Sequence, residues 1–245
     1  MQLERLCRIP CRDQRIYIMR LRPFFSYYGS KYTIIEKYPY PEHETIIEPF
    51  AGSAQYATRY PHKKVHLYDL DENIVQVWDY LINVSESEIL SLDMDFDHIE
   101  DSSLTSTQKK LVGFWIGYAK LVPMKTNRKK MNRHWKARVS SQLQYIRHWK
   151  VDLASYEEID NVCATWFIDP PYIDKGKHYR RSSKNIDFDH LSSWCKAREG
   201  HFIVCENTGA DWLPFKPLTT IKSNTRKKTK EAIYTNIQDK QLSLF

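Results

Sequence analysis

Short apolar runs recur along the chain, and each is followed by a polar or amphipathic stretch. The runs contain bulky or β-branched residues and are four to five residues long, which predicts buried strands. They lie at 45–48, 65–68, 164–168 and 201–205. Between the first two, the pattern over 54–60 predicts a short helix that Pro61 ends. After the second, apolar residues recur at helical spacing and predict a helix over 72–82.

The order of these elements indicates a fold class. Strands that alternate with helices favour a parallel sheet with right-handed crossovers and helices on both faces. A further helix is predicted at 189–198, and the segments 218–222 and 232–235 resemble two paired strands joined by a basic turn. We therefore expect a doubly wound, Rossmann-like α/β core.

The middle of the chain shows a different pattern. Ser85 and Glu88 have the spacing of a helix capping box, and helices are predicted at 107–121 and 134–149. No strand pattern interrupts this part, so we interpret it as a mainly helical insertion. The predicted divisions are an N-terminal extension at 1–22, a core at 23–84 and 151–245, and the insertion at 85–150.

Charge gives the insertion a possible partner. The 245 residues carry a formal net charge of +7, with a sequence pI of about 9.0. Between residues 102 and 151 there are twelve Lys or Arg and no Asp or Glu. A solvated helix normally mixes both signs, so a one-signed stretch of this length favours a surface that faces nucleic-acid phosphates. The alternative is a basic surface without a partner.

The remaining composition narrows the setting of the protein. No apolar run reaches the roughly 18 residues of a membrane span, and the first residues contain no apolar signal core. The five cysteines are scattered, which favours free thiols in a reducing compartment. We therefore expect a cytoplasmic protein that does not associate with membranes.

Two predicted strand ends carry residues suited to a nucleoside ligand. The segment 48–54 follows the first strand, where ligands of open α/β sheets bind, and Gly52 permits close approach of a backbone. Asp69 ends the second strand, where an acidic group can hydrogen-bond the two hydroxyls of a ribose. The alternative for the loop at 48–54 is an ordinary turn, and the alternative for Asp69 is a helix N-cap.

A third strand end carries the most specific motif. Asp169-Pro170-Pro171-Tyr172 follows the apolar strand at 164–168. The prolines fix the backbone, so the Asp169 carboxylate and the Pro170 carbonyl become two acceptors aimed at one exocyclic amine. Tyr172 supplies a ring on which a flipped base can stack. Such acceptors localise the lone pair of a weakly nucleophilic amine without a metal. The alternative is a rigid turn with a half-buried Asp.

These motifs resemble those of the Dam-like DNA adenine N6-methyltransferases, especially short phage-type members. Asp169 to Tyr172 matches the catalytic motif, and 27–31 resembles the N-terminal cofactor motif. In the loop at 48–54 the family usually has a second glycine, where Ala54 or Gln55 stands here. The resemblance implies S-adenosylmethionine as cofactor, with double-stranded DNA as the partner and a flipped adenine as the target.

The resemblance also implies roles for individual residues. The catalytic residues are Asp169, Pro170 and Tyr172. The cofactor-binding residues are Tyr27, Lys31, Phe50, Gly52, Ser53, Asp69 and Asp169. In this family the target-recognition region lies between the cofactor loop and the catalytic motif, where the basic stretch of this chain falls. The candidate DNA-backbone contacts are Lys125, Arg128, Lys129, Lys130 and Arg133.

Two other hypotheses remain compatible with the residues. One is a methyltransferase for another planar amine, such as cytosine N4 or an RNA adenine. The other is a nucleic-acid-binding protein that keeps the fold without catalysis. Incubation with labelled cofactor and DNA separates an enzyme from a binding protein.

Overall fold

The computed structural model describes residues 20–117, 119–127, 133–173, 186–222 and 228–237. The strands are β1 Thr45–Glu48, β2 Lys64–Asp69, β3 Lys150–Leu153, β4 Ala164–Ile168, β5 Gly200–Asn207, β6 Lys216–Lys222 and β7 Lys228–Thr235. The α-helices are α1 Glu72–Asn83, α2 Glu86–Ser91, α3 Ser106–Ile116, α4 Arg133–Ser140 and α5 Phe188–Lys196.

The seven strands form one sheet in the order β3-β2-β1-β4-β5-β7-β6. Strands β1 to β5 are parallel to one another, whereas β7 runs antiparallel to both β5 and β6. The chain builds outward from β1 in one direction and from β4 in the other, so the topological switch point lies between these two strands. This is a doubly wound, Rossmann-like α/β fold, and the predicted fold class is confirmed.

Two hydrophobic cores lie on opposite faces of the sheet. Successive side chains of a strand point to opposite faces, and β4 shows the alternation clearly. Trp166 and Ile168 belong to the core that includes Leu191 of α5, whereas Phe167 belongs to the core that includes Trp78 of α1. Strands covered on both faces explain why β1 and β4 appear in the sequence as apolar runs.

Several sequence predictions need correction. The helix predicted over 54–60 is reduced to a 3-10 turn at Ala57–Arg59. The helix predicted over 107–121 ends at Ile116, and the one predicted over 134–149 ends at Ser140 before a 3-10 turn at Leu143–Tyr145. The strand β3 was not predicted, because this edge strand exposes most of its four residues.

The helices between α1 and β3 pack into the same core as the sheet. Phe114 of α3 stacks on Phe25 with ring centroids 5.2 Å apart, and Trp115 Nε1 donates to the carbonyl of Phe24 at 2.8 Å. Ser85 caps α2 by accepting from the Glu88 N–H, which is one half of the predicted capping box, whereas Glu88 Oε1 accepts from Tyr80 and Gln108. The helical character of this region is therefore observed, while its division from the core stays a prediction.

Two further findings concern the cysteines and the helices. Cys195 and Cys205 are buried free thiols, but Cys163 is disulfide-bonded, so the expectation that all cysteines are free is wrong there. In the described ranges of the chain, every helix is too short or too polar to cross a membrane.

Candidate active site

A cavity of about 310 Å³ opens at the carboxyl ends of the central strands. Loops that follow β1, β2 and β4 form its walls, together with the segment at 27–31 and the turn after β3. Every residue predicted to bind the cofactor lines this cavity: Tyr27, Lys31, Phe50, Gly52, Ser53, Asp69 and Asp169. The structure therefore brings together residues that are up to 142 positions apart in the sequence.

The loop after β1 is held by hydrogen bonds to neighbouring elements. The Gly52 N–H donates to Asp69 Oδ2 at 2.9 Å, and the Gly52 carbonyl accepts from Trp78 Nε1 at 2.8 Å. Gly52 has φ +45°, and a Cβ at this position would lie 3.2 Å from Tyr27 Cδ1. A residue with a side chain would therefore be strained and would push Tyr27 away from the loop.

The missing second glycine of this loop has a structural counterpart. Ala54 adopts φ +46°, the left-handed region that glycine occupies most readily. Its N–H donates to the carbonyl of Ala51 at 2.7 Å, which closes the turn. Ala54 therefore keeps a glycine-like backbone where this sequence departs from the pattern of the Dam-like enzymes.

Asp69 is bound by two backbone groups. Oδ2 accepts from Gly52, and Oδ1 accepts from the Asp71 N–H at 2.8 Å. The N-cap of α1 is Asp71, whose side chain accepts from the Asn73 N–H, so Asp69 is not the helix cap. Burial raises the pKa of Asp69 to about 6, against the opposing effect of the two N–H donors. Each oxygen retains a lone pair that can accept from a ribose hydroxyl.

Lys31 lies between the cavity and the Asp169-Tyr172 segment. Its side chain is almost completely buried, and Nζ lies 2.8 Å from Asp169 Oδ2. The same ammonium donates to the Gly29 carbonyl at 3.1 Å and lies 4.7 Å from the centroid of the Tyr172 ring. Lys31 is predicted as a cofactor residue, and the structure also places it against the side chains of Asp169 and Tyr172 in the predicted catalytic motif.

The two carboxylate oxygens of Asp169 differ in their contacts with the described residues. Oδ2 binds Lys31, whereas Oδ1 is buried and accepts no hydrogen bond from the described residues. A buried acceptor without a donor is costly in a folded chain. Such an atom, on a residue that lines a ligand cavity, is suited to receive an N–H from a substrate.

The other two predicted catalytic residues are less open to the cavity. Pro171 is a lining residue, but Pro170 and Tyr172 are not among those that line it. Pro170 is buried, and the Tyr172 hydroxyl donates to Glu231 Oε2 at 2.5 Å. The Ile173 N–H, one residue further on, donates to Glu206 Oε2 at 3.2 Å. Sequence reasoning missed both glutamates, which are distant from the motif in the chain.

The turn after β3 supplies a further wall that sequence reasoning missed. Tyr156 lines the cavity, and its ring centroid lies 5.7 Å from that of Phe50. Two aromatic rings at one end of a cavity suit a purine ring. Ser155 and Glu158 form a capping box around this turn, so the Ser-x-x-Glu spacing was the signal that could have located it.

Glu48 adds a buried carboxyl group to the floor of the cavity. Its Oε1 accepts from the Ala57 N–H at 2.7 Å. Burial and, to a smaller extent, the nearby Asp169 raise the pKa of Glu48 to about 8, against the lowering effect of the Ala57 N–H. The group is therefore mostly protonated at neutral pH and can donate as well as accept.

The candidate DNA contacts lie mostly beyond the described residues. Lys125 is described, and its side chain is 68% exposed with Nζ 3.3 Å from Glu100 Oε1. Arg128, Lys129 and Lys130 lie outside the described residues, as does the side chain of Arg133. Their predicted role stays a prediction.

The cavity fits the cofactor that the sequence motifs imply. It combines an acidic group for a ribose, aromatic walls for a purine, and a glycine loop in which a Cβ would meet Tyr27. These features suit the ribose and the purine of S-adenosylmethionine.

Comparisons with known proteins add little to this description. No family model matches the chain, and no curated protein matches it. Among solved structures, the "putative methylase HI0767" of Haemophilus influenzae is similar at 12% identity, over 79% of this chain and 80% of that chain, with a TM-score of 0.34. This likeness is too low to support an assignment, so the function is argued from the site.

Proposed function

We propose that this protein is an S-adenosylmethionine-dependent methyltransferase that modifies N6 of a flipped adenine in double-stranded DNA. The observation that carries the proposal is the buried Asp169 Oδ1, which has no donor among the described residues, on a residue that lines a cavity suited to the cofactor. S-adenosylmethionine supplies an activated methyl group when it is bound.

The residues of the chain have separate roles in this proposal. Asp69 holds the ribose, while the purine of the cofactor packs against Phe50 and Tyr156, which line the cavity. Asp169 and the carbonyl of Pro170 accept hydrogen bonds from the target amine and localise its lone pair. Positioning of this kind supplies most of the acceleration, because the reacting groups are held in line.

The target base must leave the DNA stack before it reaches Asp169. The ammonium of Lys31 already neutralises one carboxylate oxygen and lies over the Tyr172 ring. We infer that the incoming base either displaces this ammonium from the face of the Tyr172 ring or donates its amine N–H to Asp169 Oδ1, the oxygen that Lys31 does not bind. The basic stretch at 102–151 supports contact with the DNA backbone, because it carries twelve cations and no acid of its own, and of these Lys109 and Lys125 pair with Glu100.

The direct test is methyl transfer. The full chain is incubated with labelled S-adenosylmethionine and unmethylated DNA, and the modified nucleoside is identified by mass spectrometry. N6-methyladenine supports the proposal. N4-methylcytosine, or transfer to RNA alone, would replace it with another planar amine. Cofactor and DNA binding without any transfer would favour the binding protein.

The DNA interface has its own test. Replacing Lys129 and Lys130 with Ala should lower affinity for all DNA sequences alike and flatten the salt dependence by about one unit per lost contact. Fluorescence anisotropy at several salt concentrations measures both effects. Lys64→Ala with Lys196→Ala is the matched control, since both lysines are exposed and lie outside the basic stretch. An unchanged slope would mean that Lys129 and Lys130 do not contact phosphates.

A further inference from the structure

Tyr172 is held at its hydroxyl as well as over its ring. The hydroxyl donates to Glu231 Oε2 at 2.5 Å, and the Lys31 ammonium lies 4.7 Å from the ring centroid. Burial raises the pKa of Tyr172 well above its ordinary value of 10.0, so the hydroxyl keeps its proton and remains a donor. Stacking of a base requires only the ring, and it does not account for the hydroxyl contact.

Glu231 occupies a rigid position in the sheet. It lies on β7, paired with Asn207 of β5 on one side and with Thr219 of β6 on the other. The residue is 4% exposed. A carboxylate buried to this degree is costly unless it accepts hydrogen bonds. The hydroxyl of Tyr172 is therefore bound to an acceptor that has little freedom to move.

A second buried carboxylate fixes the backbone that follows Tyr172. Glu206 is fully buried, and its Oε2 accepts from the Ile173 N–H at 3.2 Å and from Trp212 Nε1 at 3.3 Å. The chain after the motif is thus tied to β5, while the tip of the Tyr172 side chain is tied to β7. Together the two contacts leave the ring one orientation.

We propose that Glu231 is a positioning residue, which acts through the Tyr172 hydroxyl to hold the ring in the orientation that the target base needs. The inference rests on the proposed function, because it assumes that a base stacks on Tyr172. A stacking surface must be placed within about 0.5 Å and 10–20° of the productive geometry. The antiparallel strand β7 would then contribute to catalysis without touching the substrate.

The test uses single-turnover methyl transfer to DNA by the full chain, with S-adenosylmethionine affinity measured separately by calorimetry. Tyr172→Phe keeps the ring but removes the donor, and it should slow transfer by about 10- to 100-fold, as for a misplaced catalytic group. Glu231→Ala should cause a similar loss. Glu231→Gln should cause a smaller loss, because the amide oxygen still accepts from the hydroxyl. Cofactor affinity should stay the same in all three.

The decisive measurement is made in the Tyr172→Phe background. If Glu231 acts only through the hydroxyl, Glu231→Ala and Glu231→Gln should now give equal rates, close to that of Tyr172→Phe alone. Tyr234→Phe, on the same strand, and Glu44→Gln, at an exposed ion pair, are matched controls that should transfer at the wild-type rate. Thermal unfolding of each variant separates a loss of rate from a loss of fold.

The outcomes are separable from failure of the proposed function. Absence of transfer by the wild-type chain contradicts the proposed function itself. Transfer at the wild-type rate by Tyr172→Phe, or full additivity of the Tyr172 and Glu231 effects, overturns the positioning role of Glu231. If Glu231→Ala does not fold, Tyr172→Phe and Glu231→Gln are measured alone and combined. A wild-type rate for Tyr172→Phe, or full additivity of these two substitutions, then overturns the positioning role.

Discussion

The strand ends after β2 and β4 both present a carboxylate to the same cavity, but they hold it differently. Asp69 accepts from two backbone N–H groups, which cannot move unless the loop moves. Asp169 has a lysine side chain on one oxygen and no donor among the described residues on the other. The first arrangement suits a ligand that is bound in one fixed pose. The second suits a group that arrives from outside and leaves after reaction.

The comparison predicts its largest effect at Asp169. Asp169→Ala should reduce methyl transfer by at least roughly 10²–10³-fold, as for loss of one transition-state hydrogen-bonding group. Cofactor affinity should change far less. The substitution also removes Oδ2 from the buried Lys31 ammonium, so it should lower stability, and thermal unfolding separates this effect from the loss of transfer. Single-turnover transfer and calorimetry measure the two quantities, and Asp211→Ala, at an exposed loop position, is the control. A fully active Asp169→Ala enzyme would remove this residue from the mechanism.

A smaller effect is expected at Asp69, and on binding. Asp69→Ala removes an acceptor for the ribose and for two backbone donors, which should weaken S-adenosylmethionine binding by about 1.5–3 kcal/mol. Asp69→Asn keeps one carbonyl acceptor and should lose less. Calorimetry at neutral pH compares the variants. Unchanged affinity in folded Asp69→Ala would mean that the ribose lies elsewhere.

The pH dependence of cofactor binding tests the role of the Asp69 carboxylate in a second way. Because burial raises the pKa of Asp69 to about 6, cofactor affinity should fall as the pH is lowered through 6, when the carboxylate is neutralised. A pKa above the ordinary 3.8 means that protonation of Asp69 itself favours the folded state. The loss of affinity is therefore not an unfolding effect of this group. Calorimetry between pH 5 and 7 should show the decline in the wild type and not in Asp69→Asn; a flat wild-type profile would contradict the raised pKa.

The smallest effect concerns the loop that Asp69 holds. Gly52→Ala places a side chain at φ +45° and 3.2 Å from Tyr27, which should cost roughly 1–2 kcal/mol in unfolding free energy. Thermal unfolding should show a Tm lower by a few degrees. Ala54→Gly, at nearly the same φ, is the informative partner, since it relieves strain and should not lower the Tm by as much. An equal decrease in both variants would show that backbone conformation is not the cause.

Buried features of this fold are the ones that sequence reasoning predicted well. Strands β1 and β4 are covered on both faces, so their apolar runs predicted their bounds closely. β3 was missed because an edge strand such as Lys150–Leu153 has no need of an apolar run. The left-handed conformation of Ala54 was also beyond prediction, since side-chain type alone does not specify φ for an alanine.

In the candidate site, the contiguous motifs were predictable from the sequence, whereas contacts between distant residues were not. The motif at 169–172 and the loop at 48–54 are contiguous, so their chemistry was visible in the sequence. The contact between Tyr172 and Glu231 joins residues 59 positions apart, and it depends on β7 inserting next to β5. No local pattern encodes such a pairing, because it follows from the register of the whole sheet.

The cavity also has a consequence for synthesis of the chain on the ribosome. Its walls come from residues between Tyr27 and Ile186, and Asp169 is supplied by the fourth strand of the chain. A nascent polypeptide that has not yet released β4 from the exit tunnel can possess the loops after β1 and β2 but no complete pocket. The pocket can therefore bind a ligand only after β4 and Asp169 have emerged, and translation products that end before residue 169 should be unable to bind the cofactor.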